Sequence, residues 1–306
     1  MAIRTIKTKN LKWINIDEFD QAAAAFLKKN FKFHTLDLKD CYRENIHPKI
    51  DSYEDYIFLV LNFPEYNSEK NRVINNELDV FLSSNFVITI QKKRFKALKN
   101  SFYRCAQNQK VQEIYFGKNS VYLFYKIIEE IFRSTYTMID IVSDSVNKIE
   151  NQLFEKKTSK DLMIELAELR RNILTFRSII DPQRFTLNTL VDHNNKFLTK
   201  EAPIYFDDIH DWIEEVWIIL NNYLDISENL YETNQAIISN KTNRVIKVLT
   251  IISVALLPLT LLAGIYGMNI NGMPLINDPI VILFLFIGIL GTIIFSLFYL
   301  KKKNWM

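Results

Sequence analysis

The chain has 306 residues, about two domains' worth of material, and its 38 Lys and Arg nearly balance 35 Asp and Glu, leaving a net charge of +3. So even a balance argues against nucleic acid as a partner. Cys41 and Cys105 have no metal-ligand spacing and suggest no disulfide framework. Glycine is scarce, at six residues, and no glycine-rich phosphate loop, Ser/His/Asp or Cys/His constellation is legible, so the sequence offers no foothold for enzyme chemistry. Met1-Ala2-Ile3-Arg4 begins no apolar run, so no secretory signal is expected and the bulk of the chain is placed in a reducing cytosol.

Residues 1–110 switch between short strand and helix signals and are expected to form a cytosolic α/β domain. Residues 11–16 alternate like a strand, and the acidic stretch 17–20 leads into a helix over 22–29. Residues 56–61 are a continuous apolar run, which predicts a strand buried on both faces. Strands over 78–82 and 86–90 follow, separated by the turn-forming Ser83-Ser84-Asn85. The Lys92-Lys93-Arg94 cluster is expected to be solvated surface without a special role. His34, His47, His193 and His210 are scattered, with no two at ligand spacing on one helix.

Residues 111–200 are expected to form a helical hairpin. Phe124, Ile128, Ile131, Met138, Val142, Val146, Ile149 and Leu153 fall mostly at three- and four-residue steps, and Leu162, Leu166, Leu169, Ile173, Phe176 and Ile180 repeat the pattern. The polar stretch 155–160 joins the two runs. Asp181-Pro182 should disturb or end the second helix. Between Pro203 and Pro258 there is no proline, so a helix over about 204–265 would be on the order of 90 Å long. Only about a third of it could lie in a ~30 Å hydrocarbon core. The rest would be a stalk able to convey movements of the soluble part.

Residues 201–266 are thus expected to be one stalk helix continuing into a first membrane span at about 245–266. Residues 279–300 carry no charge and form a second span, 267–278 an outer loop, and 301–306 a basic tail. Lys241, Arg244 and Lys247 precede the first span, Lys301, Lys302 and Lys303 follow the second, and the loop has neither Lys nor Arg. The positive-inside bias then puts both termini in the cytoplasm, in a multi-pass inner-membrane protein. The alternative, a buried helical hairpin in a large soluble protein, rarely contains uncharged runs of this length. Within the first span, positions 243, 246, 249/250, 253, 257, 260 and 264 make one stripe of hydroxyl, small and bulky apolar side chains. A shared polar pathway with hydrophobic constrictions would have this pattern, and so would a small-residue packing face between spans. The residues alone leave both open.

Tyr266-Gly267-Met268-Asn269 after Pro258-Leu259-Thr260-Leu261-Leu262-Ala263-Gly264-Ile265, with Met273-Pro274 beyond and a Lys-Lys-Lys-Asn-Trp tail, resembles the CorA family of divalent-cation channels. The Gly-Met-Asn triplet is that family's signature, and its place at the outer end of the first of two C-terminal spans is as diagnostic as the triplet. Residues 239–250 resemble the family's inner-mouth segment, and the likeness covers the whole chain, weakening toward the N-terminus. It implies an α+β multidomain membrane protein that assembles with itself as a homopentamer in the lipid bilayer. Magnesium, with cobalt or nickel as further candidates, would be both transported and regulatory, and no organic cofactor is implied. Gly267, Met268 and Asn269 would form the selectivity motif. Asn243, Thr260 and Gly264 would line the pore, with Ile246, Leu249 and Leu257 as hydrophobic constrictions and Glu232 as an acidic ring at the cytosolic entrance. Magnesium would close the channel from sites between soluble domains, for which Asp40, Glu129 and Asp208 match the acidic positions.

Two departures from the family pattern stand out. Lys39 replaces an expected acid beside Asp40, which bears on the affinity of the regulatory site. Asn271 and Leu275 stand where relatives commonly carry glutamates, leaving Asp278 as the one acid of the outer loop. A zinc transporter of the same superfamily and a non-conducting membrane-anchored scaffold are the alternative functions. A ring of negative charge raises cation capture by long-range attraction. Asn271→Glu is therefore expected to increase uptake at low external magnesium, measured as cellular magnesium accumulation; unchanged uptake would refute the role given to the loop acids.

Overall fold

The computed structural model describes residues 3–44, 47–92, 95–155, 160–192, 198, 200–268 and 279–302. Contacts divide the chain into two units, Met1–Tyr231 and Glu232–Met306. The first unit is built on a six-stranded sheet of Ile3–Lys7 (β1), Lys12–Ile16 (β2), Lys49–Ser52 (β3), Tyr56–Asn67 (β4), Arg72–Ser83 (β5) and Phe86–Gln91 (β6). The strand order is β1-β2-β6-β5-β4-β3; β2 and β6 run parallel and every other pair antiparallel. The strands at 12–16, 56 onward and 86–91 fall where the apolar patterns predict them. The β4–β5 hairpin is longer than expected because Arg72–Glu77 pairs along Glu77↔Asn62 to Arg72↔Asn67, beyond the continuous apolar runs.

Both faces of the sheet are covered, so β4 is buried through Pro64. On one face lie Gln21–Asn30 (α1) and Thr35–Asp40 (α2), whose Ala23, Leu27 and Leu38 pack with Ile14, Phe58, Val60, Phe81 and Ile88. The helix α1 starts at Asp20, whose carboxylate accepts from the Ala23 N–H at 2.7 Å; this satisfies one of the donors a helix start leaves open. On the other face are Lys96–Gln107 (α3), Gln109–Tyr115 (α4), Ser120–Phe154 (α5) and Lys160–Asp192 (α6). Trp13 sits edge-on to Phe102 and stacks on Tyr115, and Phe63 meets Phe95 and Phe132. The two long helices pack on each other and on β4 and β5.

Asp181-Pro182 does not end α6, which continues to Asp192 with Pro182 inside it. Proline removes one helical donor and displaces a carbonyl, and the neighbouring Gln183 converts the disturbance into an attachment. Its amide accepts from the Asn62 N–H at 3.0 Å and donates to the Asn62 carbonyl, with a further bond to the Ile179 carbonyl at 3.2 Å. Asn62 lies two residues past Val60, the last partner of β3, whose pairing stops at Lys49 after Pro48. A proline cannot extend the ladder, so the buried Gln183 side chain takes the backbone groups that a longer β3 would have used.

Lys92 corrects the expectation of a solvated basic cluster; Lys93 and Arg94 lie outside the described residues. The Lys92 side chain is 9% exposed, and its ammonium lies 3.2 Å from Asp79 and 3.5 Å from Glu77. It also donates to the carbonyls of Asp40, at 3.1 Å, and Cys41. Glu77 and Asp79 are two apart on β5 and so share a face. One ammonium serves two carboxylates, and burial, opposed by Lys92 and reinforced by Glu77, pushes Asp79 up to about 8.

A carboxyl group raised in the fold stabilises it fully below the unfolded value, near 3.8, and loses that contribution as pH rises toward 8. Lys92→Met removes the ammonium from two buried acids and is expected to cost about 3 kcal/mol at pH 7. The cost should be larger at pH 9, where Asp79, raised to about 8, is ionised and loses its counter-charge. Denaturant titrations followed by tryptophan fluorescence at the two pH values check both the size and the sign.

Candidate ion pathway and metal positions

The remaining helices are Ala202–Tyr266 (α7), of 65 residues, and Pro279–Lys302 (α8). The membrane-length apolar window of α7 is wholly unburied, and the apolar run found in α8 covers residues 280–296. A core hairpin of a soluble protein would be mostly covered, so exposure on this scale removes that alternative. Pro258 lies inside α7, so one backbone donor is absent there.

The second unit shields one stripe on each helix. On α7 the half-covered positions are Ile251, Ala255, Leu259, Leu262 and Tyr266, and on α8 they are Ile282, Leu285, Phe286, Ile289 and Ile293. At ~100° per residue, the stripe that includes Ile246, Leu249, Ser253, Leu257, Thr260 and Gly264 lies on roughly the opposite side of α7. Every one of those six residues is exposed. Asn243 and Glu232, also exposed, continue the same side toward the N-terminus. Within the chain, then, the hydroxyl-bearing stripe is the uncovered side of α7.

The hydroxyls on this helix share one arrangement. Thr250 donates to the Ile246 carbonyl at 2.8 Å, Ser253 to the Leu249 carbonyl at 2.9 Å and Thr260 to the Leu256 carbonyl at 3.0 Å. Each hydroxyl proton is spent on the preceding turn, so the oxygen faces outward with lone pairs only. Such oxygens accept from water and attract cations; they have no proton left to offer an anion. Around Gly264 a Cβ would meet nothing within 4 Å, and the bare backbone leaves open space on the same stripe.

At the end of α7 the Gly267 N–H donates to the Ala263 carbonyl at 2.9 Å, and the Met268 N–H to the Ile265 carbonyl at 3.3 Å. A Cβ on Gly267 would lie 2.8 Å from the Ala263 oxygen. The helix's own last turn therefore excludes a side chain at Gly267, a reason local to this chain. Met268 is exposed. Asn269, Asn271, Leu275 and Asp278 lie outside the described residues.

The three acidic positions of the soluble unit are each engaged within the chain. Asp40, the last residue of α2, is 2.6 Å from the Lys49 ammonium, which is also 2.5 Å from Asp51. Burial alone would lower the Lys49 ammonium, but its bonds to Asp40 and Asp51 outweigh this and hold it above the usual lysine range. Glu129 on α5 is 2.5 Å from Lys126 and 3.9 Å from Arg133. Asp208 on α7 accepts from the Tyr125 hydroxyl at 2.7 Å. Burial, then Asp208 and Glu129, raise the Tyr125 phenol, so these two carboxylates act on one side chain. Lys39 is exposed beside Asp40. Among the described residues no three His, Cys, Asp or Glu converge as a metal site.

Sequence reasoning missed Lys49, Asp51 and Asp37. Asp37 is fully buried, accepting from Tyr53 at 2.9 Å and from Tyr56 at 2.7 Å. Burial raises its carboxyl against the two hydrogen bonds that lower it. An available signal was the charge of Asp37 between two apolar residues, Leu36 and Leu38. Of the histidines, His34 accepts from the Leu36 N–H at 3.3 Å and His210 is 3.6 Å from Glu214. His47 is exposed, and His193 lies outside the described residues.

The chain matches the family model described as CorA-like Mg2+ transporter protein over residues 8–302. It is 28% identical over 300 residues to a cobalt/magnesium transport protein CorA of Thermotoga maritima, covering 96% of this chain and 83% of the relative. The magnesium transport protein CorA of Helicobacter pylori is 24% identical over 259 residues, 83% of this chain and 79% of the relative. Among solved structures, the complete CorA magnesium transporter of Methanocaldococcus jannaschii superposes with a TM-score of 0.83 at 20% identity, over 98% of this chain and 94% of that one. The ZntB cytoplasmic domain of Vibrio parahaemolyticus superposes at 0.62 with 13% identity, over 76% and 90% respectively. These structural likenesses agree with the expected order of soluble α/β layers, long helix and C-terminal helix. With nearly its whole length matched by the family model and an exposed apolar helix followed in the sequence by Gly-Met-Asn, this chain belongs to the CorA family.

Proposed function

We propose that this chain forms a divalent-cation channel that admits magnesium through a homo-oligomeric pore, five copies by the family resemblance, with α7 as the lining helix. The observation that carries this reading is the exposed stripe of α7, whose back-bonded hydroxyls offer only acceptor oxygens on the side opposite the shielded one. Several copies facing an axis with that stripe would make a wet path from Glu232 and Asn243 to Thr260 and Gly264. Ile246, Leu249 and Leu257 would narrow it with apolar rings.

The chemistry suits magnesium, with cobalt or nickel as further cargo. Magnesium is small and hard and sheds its water reluctantly. A ring of amide oxygens from Asn269 could hydrogen-bond those waters without stripping them, and holding so weak permits onward passage. Met268 offers a soft sulfur that magnesium does not favour, so it serves packing. Basic residues flank the two spans at 241–247 and 301–303, which supports cytoplasmic termini and an outward 267–278 loop in a cell membrane. The membrane potential then drives entry with about 2.3 kcal/mol per charge per 100 mV. Cytosolic magnesium acting at Asp40, Glu129 and Asp208 would close the pore, since carboxylates that repel when empty and are bridged when occupied bias a two-state assembly.

The likeness to the ZntB cytoplasmic domain supports zinc as the competing cargo. Flux into reconstituted vesicles with magnesium, cobalt and zinc compared separates the two, with magnesium expected to pass fastest. In a magnesium-transport-deficient cell the wild-type chain should restore growth at low magnesium, and Asn269→Ala should abolish rescue at equal membrane abundance. Rescue by Asn269→Ala equal to wild type would point to the scaffold alternative.

A further inference from the structure

Between β5 and α6 the soluble unit holds a cavity of about 470 Å³ that no step of cation passage uses. Two amides fasten α6 to the β4–β5 hairpin. Asn172 accepts from the Val73 N–H and donates to the Asn71 carbonyl, both at 3.2 Å. Gln183 holds Asn62, ~16 Å farther along the helix. The α6 wall of the cavity, 171–179, starts beside the first attachment and runs toward the second, so its width is set from both ends.

Each wall brings one guanidinium. Arg72 stands on β5 and Arg171 on α6, both exposed. Neither side chain is ion-paired or hydrogen-bonded among the described residues, whereas Arg104, Arg170 and Arg184 each have a glutamate. Arg171, Thr175 and Ser178 follow at steps of four and three and share one side of α6. Thr175 donates to the Arg171 carbonyl and Ser178 to the Thr175 carbonyl, both at 2.8 Å, so the two oxygens keep only lone pairs for a visitor. On β5 the Asn75 Nδ2 donates to the Asn62 Oδ1 at 2.8 Å, and the Asn75 Oδ1 is left buried without a partner. A donor entering the cavity would remove that cost. Val73, Ile74 and Ile179 supply the apolar part of the lining. Of its two acids, Glu77 is 3.5 Å from the Lys92 ammonium. With Arg72, Arg171 and Lys92 set against Glu44 and Glu77, the lining is net positive.

The geometry points to a nucleoside monophosphate site between β5 and α6, with Arg72 and Arg171 taking the phosphate from the two walls. A phosphate monoester carries close to two negative charges at pH 7, which two guanidiniums match, and each guanidinium can fork onto a pair of phosphate oxygens. Phosphate alone fits only part of the lining, because the oxygens of Thr175, Ser178 and Asn75 call for N–H or O–H donors. A nucleoside supplies them as sugar hydroxyls and a base amino group, and its flat base suits the aliphatic wall. The volume lies within the ~300–1,000 Å³ of small-molecule pockets. Held by one arginine from each wall, the ligand would tie β5 to α6. All of these residues belong to the first unit, so the site stands or falls independently of conduction.

The test titrates the purified full-length chain with AMP, GMP and CMP by calorimetry, and compares the tightest of the three with its own nucleoside and with inorganic phosphate. The nucleotide is expected to bind, and each half on the order of tenfold more weakly. Arg72→Gln and Arg171→Gln should each weaken the nucleotide about tenfold, the loss of one charge-assisted bond. Thr175→Val should weaken the nucleotide and not inorganic phosphate. The nucleotide should also raise the thermal midpoint of wild type but not of the Arg72→Gln/Arg171→Gln double variant. The substituted residues are exposed or half-buried, and an unchanged midpoint without ligand checks that each variant folds. No binding of any of the three at millimolar concentration overturns the proposal. So does nucleotide affinity untouched by both arginine substitutions, or inorganic phosphate binding as tightly as the nucleotide.

Discussion

An apolar helix with no covering protein must satisfy its polar groups from within, because hydrocarbon supplies no hydrogen-bond partners. In α7 this requirement fixes more than the backbone. The hydroxyl protons of Thr250, Ser253 and Thr260 are turned back onto their own helix, so the bonds that make these residues tolerable in a span also decide what they display. A line of acceptors without donors is a surface with a preferred sign of charge, built without one ionised side chain. In a membrane, such a helix would owe its low cost of insertion and any preference for cation hydration shells to the same bonds.

The soluble unit solves the opposite problem, placing charge inside protein rather than avoiding it. Lys92, Glu77 and Asp79 form a buried group in which cations are outnumbered, and the ammonium reaches the carbonyls at the end of α2 as well. Truncating one partner of such a cluster leaves an uncompensated charge in a poor solvent. The end of α2 is consequently tied to the middle of the sheet, and the neighbouring Asp40 carboxylate is presented from a rigid mount. Surface pairs such as Lys148–Glu165, with Lys148 62% exposed, contribute far less because water already solvates both partners.

Much of this architecture was legible because hydrophobic period survives in single sequences. The run at 56–61 announces a strand covered on both sides, and the three- and four-residue steps over 124–153 and 162–180 announce α5 and α6. What could not be read depends on partners distant in the chain. Lys92 looks like part of a basic surface patch until β5 brings Glu77 and Asp79 beside it. Pro182 looks like a helix end until Asn62, 121 positions away, is seen to hold Gln183. Lys49 carries no signal of its own, since its role comes from the turn of chain that sets β3 against α2. Along α7 the stripe at 243–264 was visible as a pattern, but two explanations fitted it. The half-covered stripe lies on the other side of the helix, so the exposed stripe is available to face either water or a neighbouring copy.

The bond pair between Gln183 and Asn62 carries a mechanical consequence. An amide that both gives and accepts at one residue fixes position along the helix axis and rotation about it together. A slip of α6 by one residue, ~1.5 Å, would break both contacts with no equivalent pair to re-form. Sheet and α6 are therefore keyed to each other at this point both along the helix axis and about it, like parts on a splined shaft.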